Sequence, residues 1–510
     1  MLKKTEHPHL LEINAFFWLS RLERGGERLT LAAIPDREIE AIAKCGFHYV
    51  WLMGVWKRSP AGIKLALENE PLKAEFDRCL PGWKKEDVTG SPYAVYGYEL
   101  DPRLGTRQDL VALRQRLAKL GIGLFLDLVP NHLAFDHPWT EQEPALFVNG
   151  TEAAFRDYPG LFYRTPSGRY LAHGKDPYFT AWNDTVQINI FSWRARTALI
   201  KEMLKVAELC DGIRCDMAML LLTDVFEKNW RPFLDAAQRP KMEFWAEAIT
   251  AVKAKFPQFM FMAEVYWGLD RKLQELGFEY TYDKTFYDRL KHDPALSIRE
   301  HLGTEPEYQK KCVRFLENHD EERAAALFGK KKSLAFAAIL ATAPGMRFFH
   351  EGQPEGRVKR TLIHLGREAP EPADPEISEF YLKLFRFAKV ETLHAGQWLL
   401  LEGGPSSEAD ATFRNVLAWV WSHGDEKRMV VVNDSAQESR VKVRVPKGFW
   451  EAEKIFLYDH LSREVFERST YEVTRQGLDA ALGAWQCRLF EIRTQPIFWG
   501  VPNPEPKKSY

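Results

Sequence analysis

The chain has 510 residues, with 70 Lys and Arg against 71 Asp and Glu and a net charge of −1 at neutral pH. That balance excludes the basic footprint of a nucleic-acid binder and gives no pull toward an anionic membrane. With 45% hydrophobic and 28% charged residues the chain is neither disordered nor collagen-like, and its length suits one large barrel with additions or about two to four domains.

In chain order, eight apolar runs read as strands: 11–19, 48–56, 122–129, 210–216, 258–264, 278–283, 312–318 and 345–351. Several are apolar on both side-chain parities, as strands covered on both faces must be. Helical patterns fit between them. Arg107 to Leu120 places Leu110, Leu113, Leu117 and Leu120 on one stripe, with Thr106 and Asp109 as a capping box and Gly121 as a stop. Ser192–Leu209 and Lys332–Thr342 read the same way. Eight strands alternating with helices are the arithmetic of a (β/α)8 TIM barrel over residues 1–390.

Two long segments break the rhythm, 57–92 after the second strand and 133–187 after the third, the latter read as a small inserted domain. Connections of that length are usually functional, and in a barrel they rise over the C-terminal face where sites are built. After residue 390 the pattern becomes short strands and turns. VLAWVWSHGDEKRMVVVND (416–434), SRVKVRVPKG (439–448) and WQCRLFEIR (485–493) predict an antiparallel β-sandwich over 391–495, followed by a Pro-rich tail, 496–510.

No run of about 18 apolar residues is present, so no membrane span is expected. The first twenty residues lack an apolar core followed by a small-residue cleavage site, and a cytoplasmic protein is expected. Six cysteines without CxxC spacing read as buried free thiols. Neither a P-loop nor G-x-G-x-x-G after a strand occurs, which removes a nucleotide-binding reading.

The chemistry sits at strand ends. The third strand leads through Asp127 to Asn131 and His132, and the fourth carries Arg214 and Asp216 on one face. The fifth ends in Glu264, and the seventh leads to Asn318, His319 and Asp320. Acidic groups after apolar strands are costly to bury, and several converging at one mouth predict a carboxylate-lined pocket. A metal-dependent hydrolase is a rival reading on His7, His9, His132 and His319. It fails because His7 and His9 precede the first strand, whereas barrel ligands emerge at strand C-termini.

These residues resemble the α-amylase family of retaining glycoside hydrolases and transglycosidases. DLVPNH (127–132), GIRCD (212–216), AEVYW (263–267) and FLENHD (315–320) are similar to its four principal motifs. TVQINI (185–190) resembles the motif closing its small insert, and SPYAVYGYELDPRLGT (91–106) the segment bearing a stacking tyrosine. The resemblance implies Asp216 as nucleophile, Glu264 as general acid/base and Asp320 as the carboxylate that holds sugar hydroxyls. It implies that Arg214 keeps Asp216 ionised by lowering its pKa, while burial and negative charge raise that of Glu264. His132, His319 and Tyr93 would contact the sugar, Asp127 would brace the site, and Trp267 offers an acceptor platform.

The implied reaction is cleavage or transfer of α-glucosidic linkages, α-1,4 above all, in malto-oligosaccharides or related α-glucans, with an oligo- or polysaccharide as partner. Two departures open alternatives. MAMLLL follows Asp216 where endo-acting relatives often carry Lys-His, and Gly97 stands where an Asp is common. A glucanotransferase, or an enzyme using sucrose- or trehalose-type donors, is therefore the alternative, and a catalytically silent carbohydrate-binding scaffold is the non-enzyme one. No cofactor is expected. Calcium is common in the family, and Asn131 fits one ligand position, with the other ligands falling in the variable insert.

Overall fold

Eight short parallel strands close into a barrel: β1 (His9–Asn14), β2 (Tyr49–Met53), β3 (Gly123–Leu128), β4 (Gly212–Cys215), β5 (Met260–Ala263), β6 (Tyr280–Tyr282), β7 (Cys312–Arg314) and β8 (Met346–His350). They follow chain order around the ring, and β8 pairs with β1 to close it. This computed structural model describes residues 5–23, 28–446, 449–450 and 452–496. The Pro-rich tail falls almost wholly outside the described residues.

Each strand is buried along its length because helices cover the outside while side chains fill the inside. The first run is shorter as a strand than its apolarity predicts. β1 ends at Asn14, whose side chain accepts hydrogen bonds from the backbone N–H of Phe16 and Phe17, and residues 15–22 turn into a helix. Asn at that position is a cap, and it divides one continuous apolar run into strand and helix. The helix Arg107–Lys119 has its Thr106–Asp109 capping box, and Ser192 caps Trp193–Ala207.

Neither long connection is featureless. After β2, strand Trp56–Arg58 pairs with Val95–Leu100, and two helices, Pro60–Glu68 and Glu70–Cys79, lie between. Ala66, Phe76 and Val88 pack there against Leu362 and Leu365 from the loop beyond β8. The insert after β3 stands on a two-stranded stem in which His132–Ala134 pairs with Thr185–Gln187. The C-terminal region forms a six-stranded antiparallel sheet and a three-stranded one around a shared apolar core that includes Val420, Val431, Val441 and Leu457. It is tied to the barrel by Trp421, whose Nε1–H donates to the Thr342 carbonyl at 2.7 Å. Among the described residues no helix is long and apolar enough to cross a membrane, and all six cysteines are unpaired thiols.

Candidate active site

Arg214 is the centre of the mouth. It lies on β4 between Asp127 of β3 and Met262 of β5, and only 1% of it reaches solvent. Its Nη1 lies 2.7 Å from Asp216 Oδ1 and its Nη2 2.9 Å from Glu264 Oε2. One planar guanidinium thus holds two carboxylates that are distant in the chain, and the rings of Trp51, Tyr93 and Tyr282 surround it at 5.1, 5.3 and 5.7 Å. Glu264 Oε2 also accepts the Met217 N–H at 2.7 Å, and its Oε1 accepts the Tyr266 hydroxyl at 2.7 Å. Met217 reaches this position by adopting a left-handed φ of 43° immediately after Asp216.

Burial pushes the Glu264 carboxyl above the ordinary range, against the charge of Arg214. Asp216 departs from expectation: its carboxyl is also raised, because burial outweighs Arg214 and the negative charges of Asp127 and Asp320 add to it. Arg214 divides its charge between two acids and does not serve Asp216 alone.

A second cluster adjoins the first. His319 Nδ1 donates to Glu12 Oε1 at 2.5 Å, while its Nε2 lies 2.7 Å from the Tyr93 hydroxyl and 3.0 Å from Asp320 Oδ2. Burial disfavours the imidazolium, yet Asp320 and Glu12 together raise the His319 pKa well above its ordinary value. Burial likewise opposes ionisation of Asp320, but His319 overcomes it and holds that carboxyl down at about 2. The Asp320 side chain is half-exposed, at the open side of the cluster.

The remaining predicted residues separate by position. His132 is buried against Trp182, ring centroids 4.9 Å apart, and burial lowers its pKa to about 4, so it is neutral. Asp127 accepts from Trp51 Nε1 at 3.1 Å and the Gly54 N–H at 2.8 Å, and so fixes the chain as it leaves β2. Trp267 stands at the rim, 41% exposed with φ 62°, edge-on to Tyr178 of the insert at 5.1 Å. Tyr178 is 68% exposed. His7 and His9 lie at the opposite end of the barrel, where His7 Nδ1 accepts the Gly345 N–H just before β8. They are not brought together with His132 or His319.

Sequence reasoning missed Glu12, Tyr266 and Tyr178. A signal existed for the first, since a lone acid inside an apolar strand needs a buried partner. The donor set does not fit calcium: the side-chain amide of Gln187 already occupies both oxygens of Asn131. Among the described residues no group of three His, Cys, Asp or Glu is arranged to hold a metal ion.

A closed parallel barrel with its charged groups gathered beyond the strand C-termini defines the class of (β/α)8 barrel proteins that build their sites at that face. Within that class the chain belongs to the alpha-amylase family, whose catalytic-domain model matches residues 39–444. Alpha-amylase 3 of Dictyoglomus thermophilum is 26% identical over 289 residues, covering 51% of this chain and 52% of that protein. The alpha-1,4-glucan:maltose-1-phosphate maltosyltransferase of Bifidobacterium longum is 27% identical over 200 residues, 38% of this chain and 22% of that protein. The chain spans about half the length of the first of these relatives and less of the second. A noncanonic maltogenic alpha-amylase from Thermotoga neapolitana shares the fold with a TM-score of 0.67 at 20% identity, over 95% of this chain and 98% of that one.

Proposed function

We propose that this chain is a retaining enzyme of α-glucosidic bonds that acts on malto-oligosaccharides or related α-glucans through a covalent glycosyl-enzyme. The observation that carries the reading is the single guanidinium shared by Asp216 and Glu264. Retaining glycosidases need two carboxyls close together, about 5–5.5 Å apart, flanking one bond, and a shared guanidinium brings Asp216 and Glu264 to the two arms of one fork. Asp216 attacks the anomeric carbon while Glu264 gives its proton to the departing oxygen. The same Glu264 then removes a proton from the incoming water or sugar hydroxyl, which displaces Asp216. Both carboxyls are raised by burial, and the productive arrangement has the proton on Glu264 with Asp216 ionised against Arg214. Asp320 and His319 hold sugar hydroxyls as a fixed ion pair, Tyr93 and neutral His132 flank the ring, and Asp127 braces the wall.

Transfer to a second sugar is favoured by one feature. The residues after Asp216 are a buried apolar turn, Ala218–Leu221, with no polar side chain to offer an acceptor. At the rim stands the partly exposed Trp267 ring, held edge-on by Tyr178, and an aromatic ring there suits stacking on a sugar face. Sucrose- or trehalose-type donors are the alternative substrates. The six unpaired thiols support action in a reducing compartment such as the cytoplasm.

The test is a donor series of maltose to maltoheptaose, starch, sucrose and trehalose, with product length and anomeric form followed over time. Retained α products from the malto series are expected, and early β products would refute the mechanism. Trp267→Ala is expected to lower the ratio of transfer to hydrolysis about 5–10-fold, as loss of roughly 1 kcal/mol of stacking implies. An unchanged ratio would remove Trp267 from the acceptor side.

A further inference from the structure

Asn131 immediately precedes the stem of the insert, and on that stem His132 pairs with Gln187. The Gln187 side chain is fully buried. Its Nε2 lies 2.8 Å from the Asn131 carbonyl oxygen, 3.0 Å from Asn131 Oδ1 and 3.1 Å from the Ile188 carbonyl oxygen. Three oxygens converge on one NH2 group, which has only two protons to give. The orientation is fixed by the other end of the amide, since Gln187 Oε1 accepts from Asn131 Nδ2 at 3.3 Å. A flipped amide would set an oxygen against three oxygens.

Such a cluster of neutral oxygens is the ligand type a hard cation takes. Here a neutral nitrogen fills it, and the Asn131 carbonyl is further engaged by the Ile188 N–H at 3.1 Å. Asn131 Nδ2 in turn lies 3.2 Å from His132 Nδ1, so the same knot sets the imidazole that faces the site. We infer that the Gln187 amide does in this chain the tying that the family resemblance assigns to calcium, and that the wall carrying His132 is held without a bound cation.

A cation-free knot has a distinctive signature under substitution. Gln187→Glu puts a carboxylate oxygen against the three oxygens, and a divalent cation between them relieves the repulsion. Gln187→Met keeps the volume and makes no hydrogen bonds. The experiment is thermal unfolding of the full chain in chelator and in millimolar calcium, with elemental analysis of the purified protein. It reads stability and bound metal, so its outcome is independent of whether the catalytic reading holds.

The wild type is expected to carry no stoichiometric metal and to unfold at the same temperature in both buffers. Gln187→Met is expected to lose about 3 °C or more in both, from two acceptors left unsatisfied. Gln187→Glu is expected to be destabilised in chelator and to regain stability in calcium. Copurifying calcium, a fall in wild-type Tm on chelation, or a Gln187→Met variant as stable as wild type would each overturn the inference. Should Gln187→Glu fail to fold, the wild-type and Met arms decide it.

Discussion

Asp216→Asn is expected to lower kcat on the order of 10⁴-fold, because the isosteric amide cannot form the glycosyl-enzyme bond. Glu264→Gln is expected to lose about 10²–10⁴-fold on a substrate with a poor leaving group and much less on one with an activated aryloxide, which departs without a proton. Small nucleophiles separate the two roles. With Asp216→Gly, added azide enters the vacated face and gives the inverted β-glycosyl azide. With Glu264→Ala, azide needs no base to attack the glycosyl-enzyme, and the retained α-azide forms. Wild-type-like turnover in either variant on a natural substrate, or the azide anomers exchanged, would remove the assignment.

The same variant has a stability arm. The Asp216 carboxyl is raised in the folded chain, mainly by burial. An acid whose folded pKa exceeds its unfolded value costs stability at pH values above the unfolded one, and that cost disappears as pH falls and the acid takes up its proton. Asp216→Asn is therefore expected to match or exceed the wild-type Tm near neutral pH, which separates lost chemistry from lost fold.

The barrel was legible because its strands are buried on both faces and several of them therefore appear as apolar runs on both side-chain parities. The run 278–283, with little apolar pattern of its own, supplies only the three-residue strand Tyr280–Tyr282. The end of β1 was not legible as such, because apolar residues continue past Asn14 into a buried helix and only the capping geometry marks the break. The same distinction runs through the site. Asp216, Glu264 and Asp320 announce themselves as acids beyond strand ends. That Arg214 serves two carboxylates depends on the β4–β5 register, which no local pattern encodes. Tyr178 looked like any residue of a polar loop, and its meeting with Trp267 depends on how the insert leans over β5. Glu12 is hard to single out in the sequence because it sits in one continuous, mostly apolar run from Leu11 to Leu19.

Glu12 has the consequence most easily mistaken for packing. It is fully buried within β1, it holds His319 Nδ1, and its second oxygen has no hydrogen-bond partner. A buried carboxylate on one imidazole nitrogen favours the protonated ring, and the protonated ring keeps Asp320 ionised on its other side. Glu12 touches no reacting atom, so it acts as a positioning residue through His319. Glu12→Gln keeps an acceptor for Nδ1–H and removes the charge, whereas Glu12→Leu removes both.

Loss of a charge-assisted hydrogen bond of about 1.5–3 kcal/mol corresponds to roughly 10–100-fold in kcat/KM, expected for Glu12→Leu at every pH. For Glu12→Gln the loss is expected to depend on pH. The raised His319 pKa contributes stability and site order that are complete below the unfolded histidine value of about 6.5 and vanish as pH rises through the folded value. Removing the Glu12 charge brings that folded value down, so the alkaline limb of kcat/KM should move toward acid while activity near pH 5–6 stays close to wild type. A merely structural Glu12 would lower Tm and leave the limb where it is. That result, or a Glu12→Leu enzyme with normal kcat/KM, would dismiss the relay.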